Sequence, residues 1–413
     1  MDIVIVGNGI AGTSAASTLR AFSDTARITI VSDEAYDAYS ACVLPRYIAG
    51  EIERRKVFLP SEEGNPADGV QRILGKTVSA VDVVKRTIIM DNEALPFDRL
   101  ILATGSTPLV PRIPGVDKKG VFVLKRLSDA DALKGHHGAS CVVIGSGLVG
   151  VEAAEAMAES GYKVYLIEML EWILPRALDR EPARMVAELM RENGIEVFTS
   201  EKVVSICGGE CVESVVTSAR EIPCDTVILA LGMKPNVDLA KAAGVELGTL
   251  GGIRVNEFMM TNVHNVYACG DCVESPDLIT GRPTLSLLWG SARQQGEVAA
   301  LSIVDHPRMY QGSMNIMAAE IFGMPIASVG LNLATAGAEA EIAEARGRRF
   351  YSRVILVRDV PVGAQFIGEA PGIGVLLSGI RRKAPRELLK RMATEVASLR
   401  VAPWYDVIRN YVS

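Results

Sequence analysis

Short unbroken apolar runs, each closed by glycine, mark out the first two thirds of the chain. Ile3 to Val6 ends at Gly7, Leu100 to Ala103 at Thr104-Gly105, Cys141 to Ile144 at Gly145, and Val227 to Leu231 at Gly232. Such runs, with no polar alternation, predict strands buried on both faces of a parallel sheet. Two of them open the same grammar, and their first glycines, Gly7 and Gly145, stand 138 positions apart. In the first copy the turn Gly7-Asn8-Gly9-Ile10-Ala11-Gly12 leads into a small-residue helix through about Phe22. A strand from Arg27 to Val31 follows, ending at Ser32-Asp33-Glu34. In the second, Gly145-Ser146-Gly147-Leu148-Val149-Gly150 leads into a helix through about Ser160, then a strand from Lys163 to Ile167 ending at Glu168. The chain therefore contains a repeated βαβ unit.

A G-x-G-x-x-G between strand and helix, with acidic residues about 20 positions further on, carries a physical mechanism. The first glycine permits the tight turn, the second lets the backbone approach a pyrophosphate, and the third lets helix and strand pack closely. The helix start then offers unpaired N–H groups and a positive dipole end to the phosphates. Two such turns predict two bound dinucleotides.

At 413 residues the chain has room for two or three domains. Its 38 glycines and 5% aromatic residues favour a turn-rich α/β architecture. A net charge of -6 argues against nucleic acid as a main partner. No run of about 18 apolar residues could span a bilayer. Met1 leads straight into a strand, with no secretion signal, and the seven scattered cysteines suit a reducing cytoplasm. A third strand-to-turn element, Val266 to Asp271, precedes a helix expected from about Ser286. The boundaries expected are a first domain of 1–110 plus 242–310, interrupted by a second at 111–241, and a third at 311–413.

Together these residues resemble the pyridine nucleotide-disulfide oxidoreductase superfamily over roughly 1–310. The resemblance rests on Gly7, Gly9 and Gly12; Ala103-Thr104-Gly105; Gly145, Gly147 and Gly150; Gly232-Met233-Lys234-Pro235-Asn236; and Gly270-Asp271. It implies an α/β fold with two Rossmann-like domains, the FAD domain interrupted by the NAD domain, plus an α+β C-terminal interface domain. It also implies that Asp271 binds the FAD ribityl chain and that the helix near Trp289 points at the flavin pyrimidine edge. Ala11, Val78 and Val149 join the cofactor-binding set on the same basis. The family's acidic residue for the FAD ribose aligns with Ser32, so that contact falls to Ser32, Asp33 or Glu34. Glu168 keeps the matching place in the NAD domain, where a carboxylate accepts from a ribose 2′-hydroxyl and repels a 2′-phosphate. No arginine follows it, so NADH is expected over NADPH. Glu152 matches the position beside the nicotinamide.

The C-x-x-x-x-C pair and late histidine of the disulfide reductase branch are missing. Ser40-x-Cys42-x-Leu44-Pro45 instead resembles both the single-cysteine coenzyme A disulfide reductases and NADH oxidases or peroxidases, and a second group. That second group comprises rubredoxin reductases, nitrite reductase flavin domains and the FAD/NAD subunits of aldehyde and 2-oxoacid oxidoreductase complexes. Cys42 is accordingly either a redox thiol or an inert neighbour of the flavin. The expected activity is an FAD-dependent NADH oxidoreductase exchanging electrons with an iron–sulfur or rubredoxin-type partner, as a homodimer or within a heteromeric complex. The alternatives are a self-contained enzyme using Cys42 and a non-catalytic flavin-binding assembly subunit.

Beyond 310, strands are expected at about 349–357 and 361–367. The basic run Arg381-Arg382-Lys383-Ala384-Pro385-Arg386 is expected either to open a solvated helix reaching about Leu399 or to form a docking face. The tail runs from Val401 to Tyr405. Cys269-Gly270-Asp271-Cys272 spells C-x-x-C, but its middle pair is committed to the flavin turn. Cys207, Cys211 and Cys224 lack a fourth thiolate for a cluster, and His136-His137 reads as a solvated turn.

Overall fold

The computed structural model describes residues 1–59, 69–91, 93–347, 350–368 and 373–387. They fall into two compact units: Met1–Cys42 with Glu53–Thr107 and Met233–Met314, and Val43–Ile52 with Pro108–Gly232 and the chain from Asn315 onward.

The first unit is built on a five-stranded parallel sheet, in the order Val266–Ala268, Arg99–Leu102, Asp2–Val6, Arg27–Ser32, Val70–Leu74. Alternation along the central strand divides its burial between two cores. Ile3 and Ile5 pack with Ala15 and Leu19 of the Ile10–Phe22 helix and with Val298 and Ala299 of the Trp289–Ile303 helix. Val4 and Val6 face the other way, onto Ile88, Met90 and Phe97. Each buried Val, Leu, Ile, Met or Phe among them contributes about 1.5–3 kcal/mol. The two helices approach closely because they meet on small residues: a Cβ on Gly296 would lie 2.2 Å from the Ala11 carbonyl oxygen. The second helix begins at Trp289, three residues later than the sequence suggested.

The second unit repeats the plan. Its parallel sheet runs Glu196–Phe198, Lys163–Ile167, Ser140–Ile144, Thr226–Leu229, Val121–Val123. The Leu148–Glu159 helix follows the central strand. The Leu44–Ala49 helix, just after Cys42, docks here: the Tyr47 hydroxyl donates to Asp131 (2.9 Å) and the Lys134 ammonium to the Tyr47 carbonyl (2.7 Å). This unit also holds a five-stranded antiparallel sheet ordered Ile316–Ile321, Met324–Gly330, Val360–Ile367, Tyr351–Val357, Ala340–Arg346. A buried polar network ties that sheet to the start of the Arg180–Glu192 helix. Asp179 accepts from Gln365 (2.9 Å), Arg353 (3.1 Å) and the Leu333 N–H (3.0 Å). Arg353 also reaches Glu344, at 2.9 Å.

The C-terminal part differs from the sequence reading in two places. The edge strand Ala340–Arg346 was not foreseen: Ala and Glu are poor strand formers, and pairing with Tyr351–Val357 makes it a strand. Arg381 and Arg382 close the Ile373–Arg382 helix, which puts their charges at the favourable end of its dipole, and helical backbone resumes at Arg386 and Glu387, the end of the basic run. The helix expected to about Leu399 and the Val401 to Tyr405 tail lie outside the described residues.

Candidate functional site

In the first βα turn the three glycines answer to three different steric demands. A Cβ on Gly7, which has φ of 118°, would sit 2.1 Å from the Ala103 carbonyl oxygen; one on Gly12 would sit 2.0 Å from that of Gly7. Gly9 faces open space, with nothing within 4 Å. The outer glycines thus close the turn and seat the helix, and the middle one leaves a cradle at the helix start where a phosphate can approach the backbone.

Other residues of this unit suit a large polar ligand. Asp271 follows Gly270, at φ of 86°, and accepts a 2.7 Å hydrogen bond from the Ser106 hydroxyl. The Gly270 N–H is held by Gln295 Oε1 at 2.8 Å, while Ala11 lies so close that Gly270 admits no side chain. Asn236 is stitched to the Ala103-Thr104-Gly105 turn: its amide donates to the Thr104 carbonyl (2.9 Å) and its carbonyl accepts from the Thr104 hydroxyl (2.6 Å). Asn8 Oδ1, Ser286 Oγ and Trp289 Nε1 are among the buried polar atoms without a protein partner, as is Arg20 Nε on the Ile10–Phe22 helix. Orphaned polar atoms are costly inside a protein, and that of Asn8, between the first two glycines of the turn, is one a bound ligand can satisfy. These residues fit FAD.

Of the three ribose candidates, Ser32 is buried with its hydroxyl accepting from the Glu34 N–H (3.2 Å). Glu34 in turn accepts from the Tyr39 hydroxyl (2.7 Å), and Asp33 is exposed. Val78 begins the Val78–Asp82 strand, half-buried. Cys42 is an exposed thiol on the 3-10 turn Ala41–Val43. The C-x-x-C thiols are different, because Cys269 and Cys272 are fully buried and desolvation pushes both up from the usual thiol range.

The second turn reproduces the first. A Cβ on Gly145 would meet the Ala230 carbonyl oxygen at 2.5 Å and one on Gly150 that of Gly145 at 2.0 Å, while Gly147 faces open space. Val149 is partly exposed beside it. Glu168 is buried, accepting from the Ser146 hydroxyl (2.6 Å), the Ser146 N–H (3.0 Å) and the Leu170 N–H (2.8 Å). Gly232, at φ of 100°, accepts the Leu109 N–H at 2.9 Å. Glu152, two residues into the helix beyond Gly150, is partly buried. Desolvation first, then repulsion from Glu155, raises its carboxyl to about 8. This unit fits a second dinucleotide.

Sequence reasoning missed Ser106, Asn236's stitching, Ser146, Gln295 and Ser286. Only Ser146 had a signal, as the residue between two fingerprint glycines. His136 caps the Leu127–Gly135 helix, its ring 3.0 Å from the Thr226 hydroxyl. Among the described residues no three His, Cys, Asp or Glu gather to hold a metal ion, and no helix is long and apolar enough to cross a membrane.

The profile of the pyridine nucleotide-disulphide oxidoreductase family matches residues 1–296. The chain belongs to that family. It is an FAD-dependent NAD(H) oxidoreductase, with FAD and a pyridine nucleotide as its cofactors. It is 34% identical over 342 residues to an NADH oxidase of Methanocaldococcus jannaschii, covering 80% of this chain and 76% of that one. It is 28% identical over 392 residues to the epsilon subunit of the NADH-dependent phenylglyoxylate dehydrogenase of Aromatoleum evansii, covering 92% and 91%. Among solved structures, an NAD-dependent persulfide reductase from A. fulgidus superimposes with a TM-score of 0.87 at 29% identity, over 94% of this chain and 78% of the other.

Proposed function

We propose that this oxidoreductase exchanges electrons between NADH and an iron–sulfur or rubredoxin-type partner, as the NAD-linked subunit of a larger complex in a reducing cytoplasm. The observation that carries the reading is the near end-to-end likeness to a subunit of an NADH-dependent dehydrogenase, in a chain without the C-x-x-x-x-C pair. When bound, FAD supplies a two-electron acceptor that can release electrons singly. In this reading residues 1–110 and 242–310 form the flavin domain, 111–241 the NAD domain and 311–413 an interface domain.

The residues take the following roles. Gly7, Gly9, Ala11 and Gly12 seat the FAD pyrophosphate. Asp271, aimed by Ser106 and Gln295, holds the ribityl hydroxyls. Ser32 with Asp33 and Glu34 lines the ribose, Val78 the adenine, and Ala103, Thr104, Gly105 and the helix start at Trp289 the flavin. Gly145, Gly147, Val149, Gly150 and Gly232 frame the pyridine nucleotide, and Glu168 selects its unphosphorylated ribose. Glu152, with its raised carboxyl, holds a proton near neutral pH beside the nicotinamide.

A second reading makes the exposed Cys42 a redox thiol, and the likeness to a persulfide reductase favours it. An anaerobic NADH titration of the FAD-loaded protein and its Cys42→Ser variant separates the two. Completion at about one NADH per flavin in both supports electron exit to a partner. Consumption of about two by the parent and one by the variant makes Cys42 a second redox centre. Failure of NADH to reduce the flavin leaves the non-catalytic assembly subunit.

A further inference from the structure

We infer that Ser146 is a specificity-determining residue for the pyridine nucleotide: it holds the Glu168 carboxylate in the nest of donors that would otherwise grip a 2′-phosphate. The inference rests on the reading that the second βα turn takes NADH with Glu168 at the adenosine ribose.

Three donors converge on this one side chain. Ser146 gives both its hydroxyl (2.6 Å) and its N–H (3.0 Å) to Glu168 Oε2, and the Leu170 N–H (2.8 Å) takes Oε1. Ser146 is wholly buried. The backbone around Glu168 is also fixed: its N–H donates to the Phe198 carbonyl (2.8 Å), its carbonyl accepts from Glu201 (3.0 Å), and the Ser200 N–H donates to the Leu170 carbonyl (2.8 Å). A cluster of N–H and O–H donors beside a helix start is what binds a phosphate. Here the chain's own anion already fills it. A 2′-phosphate would meet a carboxylate already holding these three donors, whereas a 2′-hydroxyl can donate to the lone pairs that remain.

The first βα turn shows that the pair is not needed to build the turn. It obeys the same glycine sterics with Asn8 in the equivalent slot and Ser32 in place of the carboxylate, and Asn8 Oδ1 has no protein partner there. What Ser146 and Glu168 add is therefore directed at the ligand.

The test uses FAD-loaded enzyme in four forms: parent, Ser146→Ala, Glu168→Ala and the double variant. Calorimetry measures binding of 5′-AMP and of adenosine 2′,5′-bisphosphate, and KM and kcat are taken with NADH and NADPH. Ser146→Ala in the parent background is expected to shrink the preference for the unphosphorylated ligand about tenfold, with the change carried by KM. Glu168→Ala is expected to favour the bisphosphate, and adding Ser146→Ala to it to weaken bisphosphate binding about tenfold. A purely structural role cannot make the same substitution help a 2′-phosphate in one background and hurt it in the other. If Ser146→Ala weakens both ligands equally in both backgrounds, or changes neither, the inference is overturned while Glu168's own effect on preference upholds the ribose reading. If Glu168→Ala leaves the preference untouched, both fall together. Should Glu168→Ala not retain FAD, Glu168→Gln takes its place under the same outcomes.

Discussion

The backbone N–H of Phe322 donates to the carboxylate of Glu155, one helical turn beyond Glu152. Phe322 sits at the tip of the hairpin between Ile316–Ile321 and Met324–Gly330, so the Leu148–Glu159 helix and the antiparallel sheet share a titrating group. Desolvation raises Glu155 to about 7. The Phe322 bond opposes that shift, and repulsion from Glu159, Glu51 and Glu320 adds to it.

The pH dependence follows from the sign of these shifts. Glu152 and Glu155 hold protons in the folded state at pH values where the unfolded chain has lost them. Their contribution to stability is therefore present below the ordinary carboxylate range and lost as pH rises through about 7 and then about 8. Glu152→Gln, which fixes the neutral form, should change stability little at acid pH. At alkaline pH it should stabilise the protein by about 2 kcal/mol, less than the full shift because Glu152 keeps some contact with water. Denaturant unfolding across that range checks it; a gain that shrinks toward alkaline pH would refute the assignment.

The glycines of one turn should fail in different ways. Gly12→Ala puts a methyl 2.0 Å from the Gly7 carbonyl oxygen and should destabilise the fold by about 3 kcal/mol or more. Gly9→Ala meets nothing and should fold with ordinary thermal stability as apoprotein, yet lose flavin. Absorbance of bound FAD after purification and a melting curve separate the two. Equal FAD content in Gly9→Ala and the parent would remove Gly9 from the cradle.

Gln295 touches the Gly270 turn only through one hydrogen bond, but it lies at the head of a buried polar chain. Its amide reaches Ser275 (3.4 Å), Ser275 reaches Ser313 (3.1 Å), and Ser313 the Tyr310 hydroxyl (2.8 Å). Gln295→Leu leaves the Gly270 N–H buried without an acceptor and should weaken FAD binding by about 1–3 kcal/mol. Ser106→Ala, which removes one hydrogen bond to Asp271, should lower affinity by a smaller step. Flavin fluorescence titration of the apoproteins is the measurement.

Removing Arg353 should be worse than removing the network around it. Arg353→Met leaves Asp179 buried with its amide partners but no cation, at a cost of about 3–5 kcal/mol. Adding Asp179→Asn should recover part of that loss, and chemical denaturation of the single and double variants would show it.

What the sequence made legible was whatever backbone sterics dictate locally. Gly7, Gly12, Gly145 and Gly150 each stand where a Cβ would strike a carbonyl oxygen, so the fingerprint is written in the residue type itself. The strands Asp2–Val6 and Lys163–Ile167 were equally plain, as unbroken apolar runs. The rest depends on distance along the chain. Gln365 meets Asp179 across 186 positions, and Asn236 meets Thr104 across 132, with nothing local to either residue announcing the partner. The strand Ala340–Arg346 was hidden for a different reason: its Ala and Glu carry no strand signal of their own, and pairing with Tyr351–Val357 supplies it.

The duplicated turn has a consequence for how such a chain can diversify. Two of its three glycines in each copy are locked by carbonyl contacts, so drift there is punished by misfolding before any ligand is consulted. The slot between the first and second glycine is under no such constraint, and it is where the copies part company: an amide reaching the Tyr36 carbonyl in one, a hydroxyl reaching Glu168 in the other. One shared frame can thus address two different nucleotides through one coupled pair of positions, Asn8 with Ser32 in one copy and Ser146 with Glu168 in the other, which are the residues to exchange together when re-targeting either half.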